Sequence, residues 1–166
     1  PQQDVLSFLN NKNAFYQSLT FSEPIEKKLN SIKETHYRNT RPIGVHFRDF
    51  VPEHDTADGY DFTKVSTPET FLRIVQNLIE QSKETRFFLS TNSSRMIELI
   101  KAKVPEVDKH VIIANESNKS RENVDGMIDA VVDLLLLSEC QYIIGSISSS
   151  FSDEACFFRN ISKLCI

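Results

Sequence analysis

Five short apolar runs punctuate the chain: Pro42 to Phe47 (PIGVHF), Arg86 to Ser90 (RFFLS), His110 to Ala114 (HVIIA), Gln141 to Ser146 (QYIIGS) and Ser162 to Ile166 (SKLCI). Each is β-branched or aromatic in character, and most lack polar alternation, the pattern of strands covered on both faces. Between them, apolar positions recur at helical spacing. Thr67 is a candidate N-cap, Pro68 takes the first helical position, Glu69 follows in the first turn, and Phe71, Ile74, Val75, Leu78 and Ile79 mark one face. Further helices are predicted over Ser93 to Lys103 and Val124 to Glu139, with a last short one starting near Ser149 to Phe151 and ending by Asn160. Strand and helix therefore alternate, and parallel neighbours need crossover helices that pack on both faces. The fold class predicted is α/β, a three-layer, open, doubly wound parallel sheet.

Ahead of the first strand, Ser22, Glu23 and Pro24 open a helical stretch carrying Ile25, Leu29 and Ile32. Before that lies a polar segment in which Phe8, Leu9, Phe15, Tyr16 and Leu19 need a partner surface. The chain thus divides into a leading helical segment, residues 1–40, and a sheet domain, residues 41–166. The connection from Arg48 to Ser66 holds Asp49, Glu53, His54, Asp55, Asp58, Gly59 and Asp61. Loops longer than about 12–15 residues without structure of their own are usually functional lids or disordered.

Composition narrows the class. A length of 166 residues fits one ordinary domain, and 40% hydrophobic with 25% charged residues marks a globular chain. With 19 Lys+Arg against 23 Asp+Glu, a net charge of -4 and no long basic block, the footprint of a nucleic-acid binder is missing. The longest apolar run, VVDLLLL, is broken by Asp133 and is too short for a transmembrane helix. Cys140, Cys156 and Cys165 show no metal-ligand spacing and lie in apolar surroundings, so they are expected to be reduced core residues. The chain opens on Pro1 with no basic-then-apolar leader, which suggests a processed or excised segment. Asn92, Asn115, Asn118 and Asn160 each head an N-x-Ser sequon, a pattern too short to fix a compartment.

Ligands of open parallel sheets bind outside the carboxyl ends of the strands, so the residues following each strand come first. His46 and Arg48 close the first strand at alternate positions, on one face. A guanidinium there suits a phosphate, whose oxygens match its planar fork; the alternative is a core histidine beside a surface arginine. After QYIIG, the residues Ser146, Ser148, Ser149 and Ser150 lead into a helix, where backbone N–H groups and hydroxyls can cradle an anion. A plain serine N-cap is the alternative, favoured by Asp153 and Glu154, which complement the helix dipole and would repel a phosphate. Asp133 interrupts an apolar helix four residues after Asp129 and must find a donor, either internal or from a ligand's amino group. Lys119 and Arg121 could add positive charge ahead of that helix. The sequence has no G-x-S-x-G, H-E-x-x-H, P-loop or G-x-G-x-x-G motif, and its four histidines show no ligand spacing. No metal or cofactor is expected.

In order along the chain, IGVHFRD, RFFLSTNSS and DLLLLSECQYIIGSISSSFSDEAC resemble the nucleotide-sugar-binding half of the GDP-fucose-dependent fucosyltransferases, which include core α1,6-, nodulation and protein O-fucosyltransferases. The likeness runs from Ile43 to Phe158. It implies a Rossmann-like domain corresponding to the C-terminal half of a two-domain GT-B glycosyltransferase, with an acceptor-side N-terminal domain lying outside this chain. It also implies that Arg48 contacts the donor diphosphate and assists the departing GDP. His46 would contact the nucleotide, Asp133 the guanine, and Ser148, Ser149 and Ser150 the phosphate side, while Thr91 and Asn92 occupy a turn where relatives often carry an acidic pair. Core-type relatives have two consecutive arginines after the histidine motif, whereas Asp49 follows Arg48 here.

The function implied is inverting, metal-independent transfer from a GDP-sugar, most closely GDP-fucose, to a glycan or protein acceptor. Asp49, Glu53, Asp55 and Asp58 are candidates for an acceptor base by location only. The alternative is a non-catalytic nucleotide-binding or interaction module, a degenerate glycosyltransferase domain. A methyltransferase is disfavoured because no glycine-rich turn follows the first strand.

Overall fold

The computed structural model describes residues 2–38, 40–49, 56–57, 60–61, 64–115 and 123–166. Five parallel strands form the main sheet: β1 (Ile43–Phe47), β4 (Phe87–Thr91), β5 (Val111–Ile112), β6 (Ile143–Gly145) and β7 (Lys163–Cys165). Their spatial order is β5-β4-β1-β6-β7. The chain therefore builds outward from β1 on one side, returns, and builds outward on the other. All five strands coincide with the apolar runs.

The helices on one face are α3 (Pro68–Gln81) and α4 (Ser94–Lys103); on the other lie α6 (Val124–Ser138), α7 (Ser150–Arg159) and the N-terminal α2 (Glu23–His36). Alternation along β1 divides its side chains between the two layers: Ile43, Val45 and Phe47 join the α3/α4 core, while Gly44 faces Leu137 and Cys140. Helix starts follow the capping residues. Thr67 accepts from the Thr70 amide and Ser93 from the Met96 amide, and Asn123 caps α6 through the Gly126 amide, each cap contributing about 1 kcal/mol. A one-turn helix, α5 (Val107–His110), precedes β5.

Three expectations need correction. The leading helical segment opens with α1 (Gln2–Ser18), which lies along α7 through polar contacts and the stack of Tyr16 on Phe158, whereas Phe8 and Phe15, expected to find a partner surface, are exposed. Asn13 and Gln17 donate to the Phe157 and Phe158 carbonyls, so periodicity offered nothing to read. The connection after β1 contains a small antiparallel pair, β2 (Thr56–Ala57) and β3 (Tyr60–Asp61). Glu53, His54, Asp55, Asp58 and Gly59 lie outside the described residues, as do Asn118, Lys119 and Arg121. Finally, β7 is an edge strand, with Leu164 and Cys165 exposed, so Cys165 is not a core residue.

The cysteines consequently divide by environment. All three are free; burial pushes the Cys140 thiol up to about 12 and that of Cys156 up to about 11. Since the thiolate is the nucleophile, iodoacetamide at neutral pH should label Cys165 first and Cys156 slowly. Cys140 should react only in denaturant. Peptide mass spectrometry of a timed labelling series checks the order, and early loss of Cys140 would contradict this packing.

Candidate functional site at the sheet's switch point

In a sheet of order β5-β4-β1-β6-β7, the connections leave β1 and β6 in opposite directions, opening a crevice at their carboxyl ends. The register sets Ser90 of β4, His46 of β1 and Gly145 of β6 side by side in the last row that the three strands share. This row faces α6 and α7, since Ser90 bonds Asp133, His46 stacks on Phe151, and a Cβ on Gly145 would meet Ser152.

Arg48, half-buried, follows β1 directly and is fixed from both sides through main-chain groups. Its own amide donates to Ser146 Oγ at 3.0 Å, and the next amide, of Asp49, donates to Asn92 Oδ1 at 2.8 Å. Asn92 Nδ2 returns a bond to the Asp49 carbonyl at 3.3 Å. The segment carrying the guanidinium is thus tied to the turns after β6 and β4. Asp49 itself is exposed.

The serine turn is equally constrained. The Ser146 amide donates to the His46 carbonyl at 3.0 Å, and the Ile147 amide to the Ile166 carbonyl at 3.1 Å. Ser148 is exposed and left-handed, with φ of 57°, a conformation that costs a non-glycine residue energy and reverses the chain into α7. Ser149 is the buried N-cap residue, but its hydroxyl makes no capping bond; Ser150 is the first, exposed residue of α7. The plain-cap alternative therefore lacks its defining hydrogen bond.

Both carboxylates at the start of α7 are engaged by lysines from elsewhere. Asp153 pairs with Lys163 at 2.7 Å, and Glu154 with Lys12 at 2.8 Å while also accepting from the Tyr16 hydroxyl. Their repulsion of an anion, anticipated from sequence, is offset.

His46 is buried, its ring stacked on Phe151 with centroids 5.0 Å apart. Asp133 is only 2% exposed; Oδ2 accepts from Ser90 Oγ at 2.9 Å and Oδ1 from Asn115 Nδ2 at 2.7 Å. Its internal donors thus exist, as the alternative reading of this carboxylate anticipated. The structure brings Arg48, His46 and Ser148, Ser149 and Ser150 to one crevice, with Asp133 one strand away through Ser90. Sequence reasoning missed Ser90, Asn115 and Lys163 as parts of this arrangement. Asn115 follows the third apolar run directly, so the strand-end rule applied there would have found it; Lys163 carried no such signal.

Two cavities lie elsewhere. One of about 390 Å³, lined by Tyr16, Leu29, Lys33, Leu135, Glu139 and Arg159, sits between α2 with the end of α1 and the C-terminal ends of α6 and α7. The other, of about 380 Å³, lies between α3 and the α4–α5 junction. Neither touches the crevice. Among the described residues, no group of three or more His, Cys, Asp or Glu side chains could hold a metal ion. None of their helices is long and apolar enough to cross a membrane.

Comparison with solved structures identifies the same architecture. A NodZ α1,6-fucosyltransferase soaked with GDP-fucose is similar to 86% of this chain and is itself covered over 44%, at a TM-score of 0.59 and 19% identity. The fucosyltransferase NodZ from Bradyrhizobium matches 84% of this chain and 43% of its own, at 0.57 and 22%. A NodZ α1,6-fucosyltransferase co-crystallised with GDP matches 93% and 58%, at 0.54 and 18%. This chain therefore spans about half the length of the solved proteins it resembles. No curated protein sequence matches it. Among protein families, nodulation protein Z matches residues 9–161, nearly the whole chain. The ordered motifs, the sheet and this match converge: the chain belongs to the nodulation protein Z (NodZ) family.

Proposed function

We propose that the chain forms the donor-binding part of a GDP-sugar-dependent glycosyltransferase, with GDP-fucose as donor and a glycan or protein as acceptor. The reading is supported by family membership and by the relatives solved with GDP-fucose and GDP. The observation that carries it is the tethering of Arg48 beside the serine turn at the switch point. Across the row from Ser90 to Gly145, two strand spacings give about 10 Å. That span is comparable to the reach of a nucleotide from base to diphosphate, with Asp133 at one end and the start of α7 at the other.

In this reading the bond from the sugar C1 to the β-phosphate oxygen breaks, and its electron pair leaves with GDP. The acceptor hydroxyl oxygen bonds C1 from the opposite face and gives up its proton to a carboxylate or to water, inverting the centre through an oxocarbenium-like transition state. Arg48 and the amides beginning α7 stabilise the charge gathering on the diphosphate, and no metal is required. Electrostatic stabilisation of this kind is commonly the largest catalytic contribution. The acceptor-side domain belongs to a part of the protein beyond this chain.

Calorimetric titration with GDP, GDP-fucose and UDP, without added metal, tests the reading. GDP and GDP-fucose should bind and UDP should bind more weakly. Absence of binding by any guanosine ligand at millimolar concentration overturns it. A second reading, a non-catalytic nucleotide-binding module, is favoured by Asp49, which stands where core-type relatives place a second arginine. It predicts GDP binding without donor hydrolysis or transfer in the complete protein.

A further inference from the structure

Lys163 begins β7, in register with Ile143, yet its ammonium group ends beneath the start of α7. Its Nζ donates to the Ser149 carbonyl at 3.3 Å and to Asp153 Oδ1 at 2.7 Å. The side chain is 8% exposed. Gly145 makes this path possible: a Cβ there would stand 2.9 Å from Lys163 Cε and 3.0 Å from Ser152 Oγ. The aliphatic stem thus fills the space that glycine leaves between β6 and α7, and a buried cation is placed against the helix start.

That placement matters because Asp153 lies in the first turn of α7. A carboxylate there stabilises the helix through its dipole but opposes any anion brought to the same amides. We propose that Lys163 is a positioning residue for the donor diphosphate: it holds the Ser149 carbonyl and offsets Asp153, so that the Ser148 to Ser150 turn keeps its shape and presents no net negative charge. The role rests on the GDP-sugar reading above. Lys163 acts through the turn and through Asp153, and no contact between it and the ligand is invoked.

The two partners can be separated by sign. GDP affinity of the 166-residue chain would be measured by calorimetry for the parent, Lys163→Met, Asp153→Asn and the double variant. Removing Lys163 exposes the Asp153 charge and should weaken GDP roughly threefold to thirtyfold, whereas removing the Asp153 charge leaves the cation and should tighten it roughly twofold to fivefold. The double variant should return close to the parent. A pair that only braces the fold predicts that both single variants weaken binding, since each breaks the same contact. Should Lys163→Met fail to fold, Asp153→Asn still decides, because the Asp153 side chain is 47% exposed and the sign of its effect alone separates the two cases. Weakening in both variants, or no change in either, overturns the role of Lys163 while leaving the donor site standing. A parent chain that binds no GDP overturns the donor site and this role with it.

Discussion

Arg48→Ala should weaken GDP binding by about 1.5–3 kcal/mol, roughly 10- to 150-fold, the range for hydrogen bonds to charged groups. The tethers that hold this segment are main-chain amides of Arg48 and Asp49 bonded to Ser146 Oγ and Asn92 Oδ1, so the substitution removes the guanidinium and leaves the local path intact. Arg48→Lys should recover only part of the loss, because an ammonium supplies a point charge without the planar fork that matches two phosphate oxygens. Titration of the parent and both variants with GDP provides the measurement, with circular dichroism confirming that each is folded. Unchanged affinity in Arg48→Ala would remove this residue from the site.

Asp133 carries the second large expectation, on stability as well as recognition. Alanine at this position strands the Ser90 hydroxyl and leaves the buried Asn115 amide only its longer bond to the Asp129 carbonyl, a donor left unsatisfied costing about 1–3 kcal/mol. Asp133→Ala should therefore destabilise the chain by about 2–4 kcal/mol in urea denaturation. Asp133→Asn, nearly isosteric, keeps one acceptor and separates packing from recognition. If the carboxylate reads the guanine edge, the parent prefers GDP to IDP, which lacks the exocyclic amine, and the asparagine variant loses most of that preference. A preference that survives the change makes Asp133 a purely internal hub for Ser90 and Asn115.

How much of this was legible depends on what each element buries. The central strands announced themselves because β1, β4 and β6 are covered on both faces and must be apolar throughout. The helices α3 and α4 carried both an apolar stripe and a capping residue, Thr67 and Ser93. By contrast α1 binds α7 through Lys12, Asn13, Tyr16 and Gln17, a mostly polar seam with one ring stack, Tyr16 on Phe158, and no hydrophobic period. The pair β2–β3 is two residues long on each side, below the length at which alternation means anything, although Asp58-Gly59 between them is a turn signal.

At the candidate site, strand ends and the serine run pointed to the edge of the sheet where β1, β4 and β6 end. What sequence could not supply was the partner of each charge. Asp153 and Glu154 look hostile to an anion when read in isolation, and only the register of β7 and the docking of α1 bring Lys163 and Lys12 to them. Similarly, Asp133 invited either an internal or an external donor, and the internal pair came from Ser90 and Asn115, on two other segments.

The position of β1 also governs when the crevice can exist. Gly44 pairs with Phe88 on one side and with Ile143 on the other, the second partner lying far later in the chain. Pairings so distant in sequence close large loops and are slow to form. During synthesis the first strand must therefore wait, one edge uncovered, until β6 has emerged as well. A nascent chain halted before β6 can assemble β5, β4 and β1 but has only one wall of the crevice, so the donor proposed for it would find no complete pocket at that stage.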